Sequence, residues 1–127
     1  MSRYQRSAVG PAAPLEALVE ASIAIPDRGV PEPDIVLTSE PEGEGLIPLA
    51  SVALVVEVAD TTLDHDLGVK AQLYARAGIP EYWVADVVGK VIHQLWAPEG
   101  GAYAQRREVA FGARIEAVTV AGLLIVT

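Results

Sequence analysis

The sequence predicts an α+β fold: a mixed β-sheet with a helix packed on it and a strand-rich C-terminal half. Three observations carry this expectation. "VALVVEVAD" (52–60) is a near-continuous apolar run, the pattern of a strand covered on both faces and so placed centrally in its sheet. "TTLDHDLGVKAQLYARAG" (61–78) sets Leu63, Leu67, Ala71 and Leu73 or Tyr74 at helical spacing, offers Thr62 or Asp64 as a cap, and stops at Gly78 and Pro80. The segment 81–110 then gives three strands, Tyr82 to Val87, Lys90 to Ala97 and Tyr103 to Val109, with turns around Gly89 and Gly100–Gly101.

The remaining elements fit around that centre. Residues 1–14, rich in Ser, Gly, Pro and Ala without a period, are expected to form a loose arm, and residues 15–127 a single domain. "VEASIAIPD" alternates well enough to predict a strand starting near Leu18, in preference to a short helix over Leu15 to Ala21. "DRGVPEP" is turn chemistry, "PDIVLTS" (33–39) is the next strand, and "EPEGEGLIPLAS" (40–51) suits a surface connection. "ARIEAVTVAGLLIV" ends the chain with a further strand or two.

Composition bounds the function. The chain has 127 residues, 51% apolar and 20% charged, which is ordinary for one globular domain. With no cysteine, a metal must sit on oxygen or histidine ligands, and a reducing cytoplasm is the expected location. The longest apolar stretch, Leu46 to Ala59, is interrupted by Pro48, Ser51 and Glu57 and falls short of the ~20 residues that span a bilayer, so no membrane association is expected. The N-terminal residues lack the apolar segment of a secretory signal. A net charge of −8 runs against a nucleic-acid partner, which favours a basic face. That acidity is partly local, crowded between Glu16 and Glu44, whereas Lys70, Arg76, Lys90, Arg106, Arg107 and Arg114 lie beyond.

Three residues stand out by position. Asp34 opens one strand behind Pro33, Glu57 interrupts the central strand, and Lys70 follows in the helix. An ionised carboxylate between hydrophobic layers is costly unless it is paired or binds metal. If their strands are neighbours, Asp34 and Glu57 converge at one edge of the sheet as hard oxygen ligands suited to Mg²⁺, with a lysine nearby to orient water.

"EPDIVL", "LVVEVADTTLDHDLGVKAQLYARAGIPEYWVAD" and "GGAYAQRREVAFGARIEAVTVAGLLI" together resemble the Uma-two family of restriction endonucleases, within the PD-(D/E)XK nuclease superfamily. The resemblance covers roughly residues 17–127 and is strongest from 54 to 86. It implies a restriction-endonuclease-like sheet and a Mg²⁺-dependent DNA endonuclease, with Mn²⁺ as a substitute and a homodimer as the assembly. It makes Asp34 and Glu57 catalytic metal ligands, adds the main-chain carbonyl of Val58 to the metal shell, and gives Lys70 the role of the superfamily's lysine, moved from the strand position held here by Ala59 onto the helix. Tyr74, one helical turn beyond Lys70 on the same face, would contact phosphate or support the lysine, while Gln72 points elsewhere. The chain departs from the pattern in a short region ahead of Asp34 and in Asp60, where relatives carry serine. These departures keep open an alternative: a catalytically inactive pseudo-nuclease acting as a binding or assembly domain.

Other conspicuous residues have plainer readings. Tyr82, Trp83 and Trp96 are expected in or beside the core, and Asp86 as a turn former. His65 and His93 are too separated for a histidine metal site, and capping near the helix start is the expected use of His65. "DTTLDHD" lacks the glycine and spaced carboxylates of a calcium loop.

Overall fold

The structure is a computed structural model that describes residues 16–19, 21–25, 29, 31–39 and 45–126. The expected loose arm, 1–14, lies outside the described residues. The described part is α+β. Its strands are β1 (Glu16–Val19), β2 (Ile23–Ala24), β3 (Ile35–Thr38), β4 (Ile47–Pro48) and β5 (Val52–Ala59), then β6 (Glu81–Asp86), β7 (Val91–Glu99), β8 (Ala102–Ala110), β9 (Arg114–Glu116) and β10 (Leu124–Val126). Helices α1 (Leu63–Leu67) and α2 (Val69–Arg76) lie between β5 and β6.

The main sheet has six strands in the order β1-β3-β5-β6-β7-β8. Neighbours pair antiparallel except β5 and β6, which are parallel. A parallel pair needs a crossover rather than a hairpin, and α1 and α2 supply it. The apolar run of β5 is therefore interior, as its pattern predicts: Val55 and Ala59 enter a core with Tyr74, Tyr82 and Val84, while Leu54 enters a second core with Trp83, Ile92 and Ile115. Full burial of a large apolar side chain is worth about 1.5–3 kcal/mol, so each face of β5 contributes to stability. The strand predicted to start near Leu18 is divided: β1 ends at Val19 and the short β2 follows at Ile23–Ala24, with no helix among the described residues of this segment. The 40–51 connection is more structured than its composition suggests, because Ile47 is buried and pairs with Ile23 in a short parallel bridge.

The single helix expected over 61–78 is two. Gly68 takes φ −101° and ψ −95°, outside the helical region, and a Cβ there would lie 2.8 Å from the Asp64 carbonyl oxygen. The hydroxyl of Thr62, at the N-cap position, makes no capping bond and donates instead to Asp66 Oδ2 at 2.7 Å. His65 sits within α1, exposed, rather than at its cap. Gly78, at φ +80°, ends the helical stretch as expected.

β9, β10 and the segment between them cover the sheet face opposite the helices through Ile115, Ala117, Val120 and Leu123. Glu81, fully buried at the start of β6, ties them down. It accepts bonds from the main-chain N–H groups of Val118 and Thr119 at 3.0 and 2.8 Å, and from the Thr119 hydroxyl at 2.8 Å. Trp83 Nε1 and Gln94 Nε2 add bonds at 2.6 and 2.7 Å. Burial alone would push the Glu81 carboxyl up, but the bonds from Gln94, Thr119 and Trp83 hold it below its ordinary value.

Candidate active site

The β3–β5 register sets Ile35 against Val56, so Asp34, one residue before β3, comes level with Glu57. The two are linked through main-chain donors: the Asp34 N–H reaches Glu57 Oε1 at 3.3 Å, and the Val58 N–H donates to Asp34 Oδ2 at 2.6 Å. The Ala59 carbonyl faces β6, where it accepts the Val87 N–H at 2.9 Å. Strand alternation consequently turns the N–H and C=O of Val58 the other way, toward Asp34.

Glu57, 3% exposed, is the centre of the cluster. Its Oε2 accepts the Tyr74 hydroxyl at 2.9 Å and the Lys70 ammonium at 3.2 Å. Lys70 and Tyr74 lie one turn apart on α2, so the helix delivers both to the same oxygen. Gln72 is exposed on another face, as expected. Burial pushes the Glu57 carboxyl up from 4.5, an effect that Lys70 and the Tyr74 bond only partly offset and to which neighbouring Asp34 adds. For Lys70, burial acts downward, but Glu57 and then Asp66 outweigh it and hold the ammonium above its ordinary value. Burial and Glu57 push the Tyr74 hydroxyl well up, so it stays a donor.

Asp34, Glu57, Lys70 and Tyr74 thus meet, and the Val58 carbonyl is turned to the same place. Oε1 of Glu57, approached only by a long N–H contact among the described residues, and Asp34 Oδ1 leave oxygen capacity at the sheet edge. Hard oxygen donors of this kind suit Mg²⁺ or Mn²⁺, which keep several waters and take few protein ligands. The donor set is two carboxylates and a carbonyl, and among the described residues no group of three or more His, Asp or Glu side chains is arranged around a metal position.

Asp60 does not join this cluster. It lines a cleft of about 600 Å³ beside the start of α1, with Thr62, Asp64, His65 and Asp86 among its walls. Asp86 acts as the expected turn former, its Oδ1 accepting the Val88 and Gly89 N–H groups at 3.1 and 3.0 Å. His93 is buried away from His65, which is exposed.

One member of the cluster escapes a reading of the sequence. Asp66 is 1% exposed, and its Oδ1 lies 3.3 Å from the Lys70 ammonium. The available signal was the Asp66–Lys70 spacing of four, which a helix turns into a neighbouring pair. It was obscured by the acids of "DTTLDHD", which look like capping residues.

A mixed sheet whose parallel strands flank a lysine-bearing helix, with two acids level with each other at adjacent strands, is the arrangement that the family resemblance implies. The chain belongs to the Uma2 family: the family model, described as "Putative restriction endonuclease", matches residues 6–125. That membership gives the chain a nuclease-like function, in a class that generally depends on metal and acts on DNA. No curated protein matches the chain. Among the described residues no helix is long and apolar enough to cross a membrane.

Proposed function

We propose that the protein is a metal-dependent DNA endonuclease that hydrolyses phosphodiester bonds. The observation that carries this reading is the convergence of Asp34, Lys70 and Tyr74 on Glu57, a carboxylate that a purely structural β5 would replace with valine or isoleucine. Asp34, Glu57 and the Val58 carbonyl would hold Mg²⁺, with Mn²⁺ as a substitute. The ion supplies Lewis acidity at the scissile phosphate and lowers the pKa of bound water. Lys70 places its positive charge at the same edge, where it stabilises charge developing on the phosphate oxygens and orients the attacking water. Tyr74 fixes the Glu57 carboxylate from the core side, leaving its other oxygen facing the edge. Hydrolysis of both strands of a duplex calls for two such sites, which a homodimer provides. The cysteine-free composition suits the reducing cytoplasm, where this reading places the protein.

The test is cleavage of supercoiled plasmid DNA with Mg²⁺ or Mn²⁺ by the wild type and by Lys70→Ala. The wild type is expected to nick or linearise the plasmid only when metal is present, and the variant to lose cleavage while still binding Mn²⁺. Equal cleavage by Lys70→Ala would remove the lysine from the mechanism. A wild type that binds neither metal nor DNA would favour an inactive assembly domain built on the same fold.

A further inference from the structure

Lys70 has two acidic partners, and the endonuclease reading uses only Glu57. The second, Asp66, is held from three directions. Its main-chain carbonyl accepts the Tyr82 hydroxyl at 2.8 Å, its Oδ2 accepts the Thr62 hydroxyl at 2.7 Å, and its own N–H is bonded to the Thr62 carbonyl at 2.8 Å. The break at Gly68 makes this possible. In an unbroken helix the Asp66 carbonyl would take the N–H of Lys70; here the carbonyl takes Tyr82 of the sheet. What remains of Asp66 is Oδ1, which is buried, accepts no well-aligned hydrogen bond, and forms an ion pair with the Lys70 ammonium at 3.3 Å. A buried carboxylate is costly unless it is paired, so Asp66, fixed in place, depends on the Lys70 ammonium as its ionic partner.

We propose that Asp66 is a positioning residue: its fixed Oδ1 holds the Lys70 ammonium at the sheet edge when Glu57 gives its oxygens to a metal. This rests on the endonuclease reading. An ammonium held by Glu57 alone would lose its anchor once that carboxylate coordinates an ion. With Asp66, Lys70 keeps a partner that does not compete for the metal, and its three donors allow it to move between the two carboxylates without turning away from the site.

Lys70 and Lys90 are the chain's lysines, and Lys90 is exposed in a turn, so the side-chain ¹⁵N–¹H signal of a held Lys70 ammonium is assignable directly. That signal should persist in Glu57→Gln and broaden away in Asp66→Asn. The reverse, loss in Glu57→Gln and persistence in Asp66→Asn, would overturn the proposal. Plasmid cleavage gives a second readout. Asp66→Asn is expected to lower kcat by about 10-fold or more with KM and Mn²⁺ binding near wild type, and to add nothing in a Lys70→Ala background, since residues acting as one unit are not additive. Cleavage by Asp66→Asn at the wild-type rate, or a further loss in the Lys70→Ala background, would also overturn it. A wild type that cleaves no DNA defeats the endonuclease reading, while the ammonium signals still decide whether Asp66 holds Lys70. Should Asp66→Asn fail to fold, the signal in Glu57→Gln decides alone: persistence supports the proposal and loss refutes it.

Discussion

Two buried glutamates sit within one sheet and carry opposite costs. Burial raises the Glu57 carboxyl above 4.5, so the folded protein binds that proton more tightly than the unfolded chain does. Stability is then lost as pH rises from 4.5 through the folded value, and Glu57→Gln should unfold at higher urea than the wild type at pH 7 without metal, the two converging toward pH 4. Glu81 has the opposite sign. Burial is outweighed by its bonds, its folded value lies below 4.5, and its contribution is present above 4.5 and lost as pH falls through the folded value. Glu81→Gln should cost roughly 2–4 kcal/mol at pH 7, with the deficit shrinking in acid; urea melts at both pH values check this. The sequence exposed one of these residues and hid the other. Glu57 breaks an apolar run and so announces itself. Glu81 stands at a strand start, where a carboxylate is unremarkable, and its donors Val118 and Thr119 come from far along the chain, with no local trace.

At the scale of elements, the strands were legible because period and turn residues are local: β5 through β8 lie within about two residues of their predicted bounds, the usual uncertainty of element ends. The helix break was not. Apolar spacing runs through Gly68 unaltered, and only the backbone shows that α1 and α2 are separate. That break places Asp66 against Tyr82 and Lys70, so it bears on function. In Gly68→Ala the new Cβ would meet the Asp64 carbonyl oxygen at 2.8 Å, forcing α1 to shift. A loss of about 1–3 kcal/mol is expected in urea unfolding, with weaker cleavage than a stability-matched variant distant from the site. Wild-type stability in Gly68→Ala would show that the segment accommodates a continuous helix.

For the whole molecule, the sheet separates two tasks. One face carries the helices and the acid–lysine cluster, and the other is closed by β9 and β10 over Leu54, Trp83 and Ile92. β5 touches both, so the position of Glu57 depends on a cover formed by the far end of the chain. Truncation after Gly112 should expose Trp83 and Leu54, bind a hydrophobic dye and lose cooperative unfolding, whereas a site independent of its far-side cover would keep a sharp transition. The α+β class and the family pattern were legible from the sequence because they rest on short motifs; the way the two faces support each other was not, since it depends on contacts across the sheet. On the endonuclease reading, Glu57 is kept in β5 for a metal. Calorimetric titration of Mn²⁺ into the wild type and into Glu57→Gln tests it without knowledge of the DNA site. Binding by the wild type that disappears in Glu57→Gln is the predicted result; equal binding by both proteins would contradict it.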